Sequence, residues 1–362
     1  MKKIGFMISG GISFVCFLLL GLVCRHMSHS LEEQQMAARW SEKKDVAQIS
    51  CFFSPDAQVS VDSIEEFEHS LDNALKEASI TQDSMNPGAR LWADAYSADG
   101  KITLSSDRTS VEADAIGIGG DFFLFHPVRL LEGAYFSGND LNQDYCVIDE
   151  DMAWQLFGSN DVDGMMVYIG GTPHIVTGVV SRPEGRLEQA AGLDATVVYV
   201  SYQTLEELGR SNGINHYEIV MPNPVSSFAL NLVKERMSYA EKEVEWVENT
   251  SRFSLFNELK VLAAFGTRSM NGKAIIYPYW ENIARGYEDI IALFVLFMLL
   301  LVLYPLILCI VCFILWWKHK GWTIKGVWLK VKDKTERYFE KRRENRKHKK
   351  EDGDFFEEEM YL

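Results

Sequence analysis

Charge is missing from two long stretches of this 362-residue chain, Ile4 to Cys24 and Ile290 to Trp317, and that gap excludes a uniformly soluble protein. Cysteine is scarce: of six, Cys16, Cys24, Cys309 and Cys312 fall inside those stretches, where a thiol acts as a small apolar group. The remaining pair, Cys51 and Cys146, is too little for a disulfide framework; two buried free thiols are expected, with a single bridge as the alternative. Phosphate-cradling loops are missing too. Gly272-Lys273-Ala274 lacks the upstream glycine spacing and the hydroxyl that would hold magnesium, and Gly117 to Gly120 is too short for a dinucleotide fingerprint, so this chain is not expected to hydrolyse ATP.

Catalytic patterns are equally absent. No Gly-x-Ser-x-Gly elbow occurs, and no Ser/His/Asp or Cys/His set stands out, so a non-enzymatic chain with no catalytic residue and no cofactor is expected. A membrane hydrolase would need perturbed titratable groups gathered in one pocket. Asn160 to Gly164 clusters carboxylates as the start of a calcium loop does, but the distal bidentate Glu is missing. His26, His29, His69, His126, His174 and His216 lack metal-type spacing, except His26 and His29 at the membrane boundary, and no metal site is expected. Asn249-Thr-Ser251 is a glycosylation sequon that, after a bacterial-type Met-Lys-Lys start, is read as accidental.

What is present is a folding composition: 47% hydrophobic and 24% charged residues exclude a wholly disordered or fibrous chain. As helices the two uncharged runs span about 31 Å and about 42 Å, one bilayer crossing and one long or tilted crossing with a kink at Pro305. A cleaved signal peptide is the alternative for the first run, but the run exceeds a usual signal core and no small-x-small site follows Val23; bulky Val23 also argues against a lipoprotein site at Cys24. Between the runs lie 20 basic and 41 acidic residues, net −21, whereas Lys318 to Leu362 holds 14 basic and 10 acidic. Lys2 and Lys3 before the first run, and the lysines after the second, put both termini in the cytoplasm and the acidic segment outside.

The pass along the chain gives a cytoplasmic start (1–3), a first span (4–24), a helical stalk continuing it (25–46), an extracytoplasmic α+β domain (47–289), a second span (290–317), a basic helical tail (318–350) and an acidic disordered end (351–362). Within the domain, Ala47 to Phe53 reads as a strand and Ile64 to Leu75 as an amphipathic helix capped by Asp62 or Ser63. Asp99-Gly100 suits a hairpin turn, and Asp149 to Phe157 a short helix stopped by Gly158. The strand-turn-helix order of 47–75 recurs at 217–237, which points to two related subdomain halves.

Phe122-Phe123-x-x-His-Pro-Val-Arg-Leu-Leu-Glu-Gly133-Ala-Tyr-Phe136, then Tyr145 through Glu150 to Phe157-Gly158 and Gly164, then Val167 to Val180 with Gly178, resemble the MacB-like periplasmic core domain, the extracytoplasmic part of bacterial ABC transporter permeases. The likeness holds over Asp121 to Val180, and Phe122, Phe123, Gly133, Phe136, Glu150, Phe157, Gly158, Gly164 and Gly178 are its fold-defining positions. It implies an α+β outer domain coupled to a cytoplasmic ATPase in an export or lipid/peptide-handling complex. The family carries further spans after the second; here a charged tail follows one span, so the chain resembles half a permease. It is expected to pair with a fuller permease subunit and an ATP-binding-cassette subunit, or else to act as a membrane-anchored accessory or sensor. The bilayer is the other partner, nucleic acid is not one, and oligomeric state is open. Lys325, Lys330, Lys332, Arg337, Lys341, Arg342 and Arg343 are candidates for docking a partner or anionic lipid.

Overall fold

The computed structural model describes residues 2–43, 45–81, 89–183, 185–193, 195–268, 274–319, 326 and 328–343. They pack as two units, 17–299 and a smaller one made of 1–16 with 300–362.

The larger unit is built on an eleven-stranded mixed sheet. Its strands are β1 (Val46–Phe53), β2 (Ala93–Ser105), β3 (Ser110–Gly120), β4 (Leu130–Gly133), β5 (Tyr145–Asp149), β6 (Met166–Ile169), β7 (Thr172–Val180), β8 (Val197–Ser201), β9 (Arg210–Ser211), β10 (His216–Pro222) and β11 (Val244–Glu248). The spatial order is β11-β1-β10-β2-β3-β8-β5-β7-β4, with β6 and β9 pairing alongside. The α+β class therefore holds, with apolar helices flanking the sheet domain in sequence: α1 (Lys2–His29) before it and α7 (Tyr279–His319) after it.

Both faces of the sheet are covered, so strand alternation feeds two cores rather than one core and solvent. Ala47, Ile49, Cys51 and Phe53 of β1, with Tyr217, Ile219 and Met221 of β10, face the first core. That core is closed by α2 (Val61–Glu77), α3 (Glu150–Phe157), α4 (Tyr202–Leu208) and α5 (Phe228–Met237), which contribute Phe67, Leu71, Met152, Leu156, Leu205 and Val233. The second core takes Ala93, Ala95, Ile118 and Val220 from the other face and covers them with Leu31, Met36, Phe122, Phe125, Trp280 and Ile283. The two strand-helix units perceived in sequence, β1-α2 and β10-α5, lie side by side, their strands paired antiparallel.

Several expectations shift. The amphipathic helix starts at Val61, and Ser60 caps it in a reciprocal capping box with Ser63. Asp99-Gly100 lies within the long strand β2, and the chain reverses only at 106–109. Gly100 is needed there for a different reason: a Cβ would meet the Arg210 carbonyl at 2.5 Å, where β9 pairs with β2. The stalk does not continue α1. The helix ends at His29, Leu31 leaves helical geometry, and short helical turns at Glu32–Gln35 and Met36–Trp40 bury Leu31, Met36 and Ala37 under the sheet. Cys51 and Cys146 are buried free thiols.

In the smaller unit the two apolar helices meet through small residues. Ser13 Oγ donates to the Leu301 carbonyl at 2.7 Å, Ser9 Oγ and Tyr304 Oη are 2.9 Å apart, and Gly10 faces Pro305. Pro305 lies inside the continuous helix. Residues 328–343 are helical and exposed.

Candidate functional site

Two core strands carry polar residues where a covered face should be apolar. On the face opposite Ile49 and Tyr217, β1 presents Gln48 and Ser50, and β10 presents His216 and Glu218. All four are at most 2% exposed. A buried carboxylate costs several kcal/mol unless hydrogen bonds and partners compensate it, so the surroundings of Glu218 decide what this strip can do.

One carboxylate oxygen is saturated. Glu218 Oε1 accepts from Gln48 Nε2 at 2.6 Å, from Ser50 Oγ, directly opposite in register, at 2.7 Å, and from Asn249 Nδ2 at 3.1 Å. The other, Oε2, lies 3.0 Å from His126 Nε2 and 3.7 Å from His216 Nε2. Burial pushes the Glu218 carboxyl up, but the neighbouring His126, with His216 and Gln48, more than reverses this and holds it down at about 2. Burial lowers His216 to about 3 despite the nearby carboxylate. Glu218 is thus an anion and His216 neutral at physiological pH.

The strip is continuous with both membrane-proximal segments. Gln48 Nε2 also donates to the Glu33 carbonyl, and Gln48 Oε1 accepts from the Met36 amide, tying β1 to the chain that follows α1. Asn249, just after β11, bridges Glu218 and Ser50 and approaches Arg252. Arg252 then grips α7: its guanidinium is bidentate on Glu281 at 2.6 and 2.8 Å, Nε donates to Glu288 at 2.6 Å, and Nη1 reaches Gln34 at 3.2 Å. Glu281 also takes Arg285, and Glu288 takes Arg268, which reaches Asp289 as well. Arg252, Glu281 and Glu288 are buried, so displacing α7 would expose or unpair several charges at once.

A helix carrying a candidate membrane span is thus joined to a sheet by bidentate, charge-assisted bonds and by Trp280 in the second core. Beside it a cleft of about 740 Å³ opens between Glu33, Val128, Arg182, Tyr199, Tyr279 and Ile283. The following helix, α6 (Leu255–Ala264), exposes Leu255, Phe256 and Leu259 and buries Glu258.

The sequence-derived positions lie partly around this junction. Phe122 is buried against His126 and Trp280, with ring centroids 4.7 and 5.6 Å apart, and Phe123 stacks on Tyr135 and meets Phe136. Glu150 accepts from the Arg182 amide, and Phe157 packs on the first core. Gly133, Gly158 and Gly164 have φ of +77°, +78° and +75°, and Gly178 stands where a Cβ would meet the Ala134 carbonyl at 2.8 Å. Lys330, Lys332, Arg337, Lys341, Arg342 and Arg343 are exposed on the 328–343 helix; Lys325 and the acidic end lie outside the described residues. The polar strip itself was not singled out in sequence. Its signal was Gln48-x-Ser50 and His216-x-Glu218, alternation inside strands otherwise apolar enough for a core. Asn249 of the sequon is 3% exposed and its amide is committed to Ser50 and Glu218, which removes it as a glycosylation acceptor in the folded chain.

Comparison with known proteins places residues 12–234 on the family model of the MacB-like periplasmic core domain. The macrolide export ATP-binding/permease protein MacB of Chromobacterium violaceum is 29% identical over 110 residues, 30% of this chain and 16% of that protein. The protein of the same name from Pasteurella multocida is 33% identical over 98 residues, 26% of this chain and 14% of that one. The matched segment thus spans only about a sixth of each curated relative. Among solved structures, the extracellular domain of the noncanonic ABC-type transporter YknZ from Gram-positive bacteria aligns with TM-score 0.36 at 19% identity, covering 55% of this chain and 99% of that one. The periplasmic region of MacB from Actinobacillus actinomycetemcomitans aligns with TM-score 0.37 at 14% identity, covering 61% and 94%.

Proposed function

Because the chain belongs to the MacB-like periplasmic core domain family of ABC transporter permeases, we propose that it is a permease-like membrane subunit whose outer domain is coupled through α7 to a cytoplasmic ATPase. The chain itself performs no chemistry in this reading. Its work is mechanical: α7 shifts when the ATPase changes state, and the Arg252 cluster carries the shift to β1, β10 and β11. Both termini lie in the cytoplasm, and the exposed helix 328–343 offers Lys330, Lys332, Arg337, Lys341, Arg342 and Arg343 to the ATPase or to anionic lipid. The cargo class is an exported small molecule, lipid or peptide.

The observation that carries this reading is the buried, bidentate Arg252–Glu281 pair joining the sheet domain to the helix of the second candidate span. The test is mild-detergent purification of the tagged full chain from its native membranes, followed by mass spectrometry. Near-stoichiometric recovery of an ATP-binding-cassette subunit is expected, and its loss on deletion of residues 325–350 would locate the docking face. Recovery of the chain alone, or only with surface proteins, would replace the permease reading with that of a membrane-anchored accessory or sensor.

A further inference from the structure

His126, His216 and Glu218 come from places distant in sequence, yet His126 Nε2, His216 Nε2 and Glu218 Oε2 lie within 4.8 Å of one another. The three side chains are at most 1% exposed. None of these atoms makes a hydrogen bond among the described residues, although His126 Nε2 is only 3.0 Å from the carboxylate. Trp280 covers the group, its ring centroid 4.1 Å from that of His126 and 5.0 Å from that of His216, and its buried Nε1 has no partner among the described residues. Five polar atoms, His126 Nδ1 among them, are left unmatched in one dry place and call for an occupant.

We propose that His126, His216 and Glu218 bind a first-row divalent cation, with Zn²⁺ the best fit to two imidazole nitrogens and one carboxylate oxygen. Tetrahedral ligands on bonds of about 2.0–2.1 Å lie roughly 3.3–3.4 Å apart; the two imidazole–carboxylate distances, 3.0 and 3.7 Å, bracket that spacing, and the two imidazole nitrogens lie within 4.8 Å of each other. The carboxylate is already aimed: Gln48, Ser50 and Asn249 hold its other oxygen, as outer partners of metal ligands do. His216 and Glu218, two apart on one strand, necessarily share a face, and His126 is delivered by the turn Phe122–Phe125. A fourth ligand position is left for water, with the Trp280 indole N–H as an uncommitted donor beside it. A lone ion pair between His126 and Glu218 would leave His216 Nε2 and Trp280 Nε1 unmatched. The ion would fasten the turn that carries His126 to β10, beneath Trp280 of α7, whether or not the protein takes part in transport.

The test uses the full chain in mild detergent, carrying a tag without histidine and purified without chelator. Elemental analysis should find about one zinc per chain, and added Zn²⁺ should raise the melting temperature of chelator-treated protein. His126→Gln and Glu218→Gln should each lower bound metal at least tenfold, while the double variant His26→Gln/His29→Gln keeps it. Because a core variant can fail to fold, the unaltered protein supplies the independent reading. Substitution of Co²⁺ into it should give the visible absorption of a four-coordinate nitrogen and oxygen site. Metal-free protein whose melting does not respond to Zn²⁺, Co²⁺ or Mn²⁺ would overturn the proposal, as would metal retained in folded His126→Gln and Glu218→Gln variants.

Discussion

Gly133 and Gly158 share a left-handed backbone but not a neighbourhood. A Cβ on Gly133 would meet the Thr177 carbonyl at 2.1 Å, whereas one on Gly158 would meet nothing within 4 Å. Gly158→Ala should therefore cost only the conformational strain, about 1 kcal/mol, while Gly133→Ala should cost about 3 kcal/mol or more because backbone must move. Thermal melting of the two variants checks the order. Glu258 gives a second prediction. It is 1% exposed, and neither carboxylate oxygen has a hydrogen-bond partner among the described residues; burial pushes it up to about 7, against the pull of Arg268 and Arg252 and with Asp289 adding to the rise. The folded chain keeps this proton to about pH 7, while the unfolded chain releases it near 4.5, so stability should fall as pH rises between those values. Glu258→Gln should melt like the parent at about pH 5 and exceed it by about 1–2 kcal/mol at about pH 8. Gly158 was legible because a helix stop after Phe157 needs φ above zero, whereas Gly133, at the paired end of β4, came only from the family motif. Glu218 was not: its meaning depends on a second covering layer, and two-residue alternation does not say whether the outer face meets water or protein.

Among elements, the contact of α7 with the loop after β11 sets the domain on its membrane helix. Arg252→Met would leave Glu281 and Glu288 buried without their main partner, at a cost of about 3–5 kcal/mol. Hydrogen exchange should show the first turns of α7 losing protection before the sheet does; uniform loss across both would mean that Arg252 serves general stability and no specific linkage. Element existence was legible from periodicity: β1, β10 and helices α2, α3 and α5 stand close to where apolar spacing puts them. Continuity was read less well. Helix propensity over Leu31 to Trp40 suggested one long stalk, but burying Leu31, Met36 and Ala37 under the sheet outweighs a straight continuation. Asp99-Gly100 carried a turn signal that a tertiary need, the approach of β9, had put inside a strand.

For the whole molecule, the two uncharged runs gave the two candidate membrane helices, and the motif from Phe122 to Gly178 gave the family. No local pattern could bring His126 beside His216, because their meeting depends on the closed sheet and on Trp280 from a third segment. If the basic helix docks a partner, reversing Lys341, Arg342 and Arg343 to glutamate should abolish co-purification of an ATP-binding-cassette subunit without changing the melting of the outer domain; binding that survives would assign the helix to lipid or to topology alone. The sheet order has a further consequence, for synthesis. β1 lies between β10 and β11, so the first strand made waits for partners some 170 residues later, roughly 10–35 s at ordinary elongation rates of about 5–20 residues per second. During that interval Ile49, Cys51 and Phe52 stand on an unpaired edge, following the candidate span α1. Yet β11 is complete at Glu248, before the second uncharged run begins at Ile290, so the sheet can close before that run enters the bilayer. Newborn chains are thus most exposed to aggregation early in their emergence and most protected just before their second anchorage.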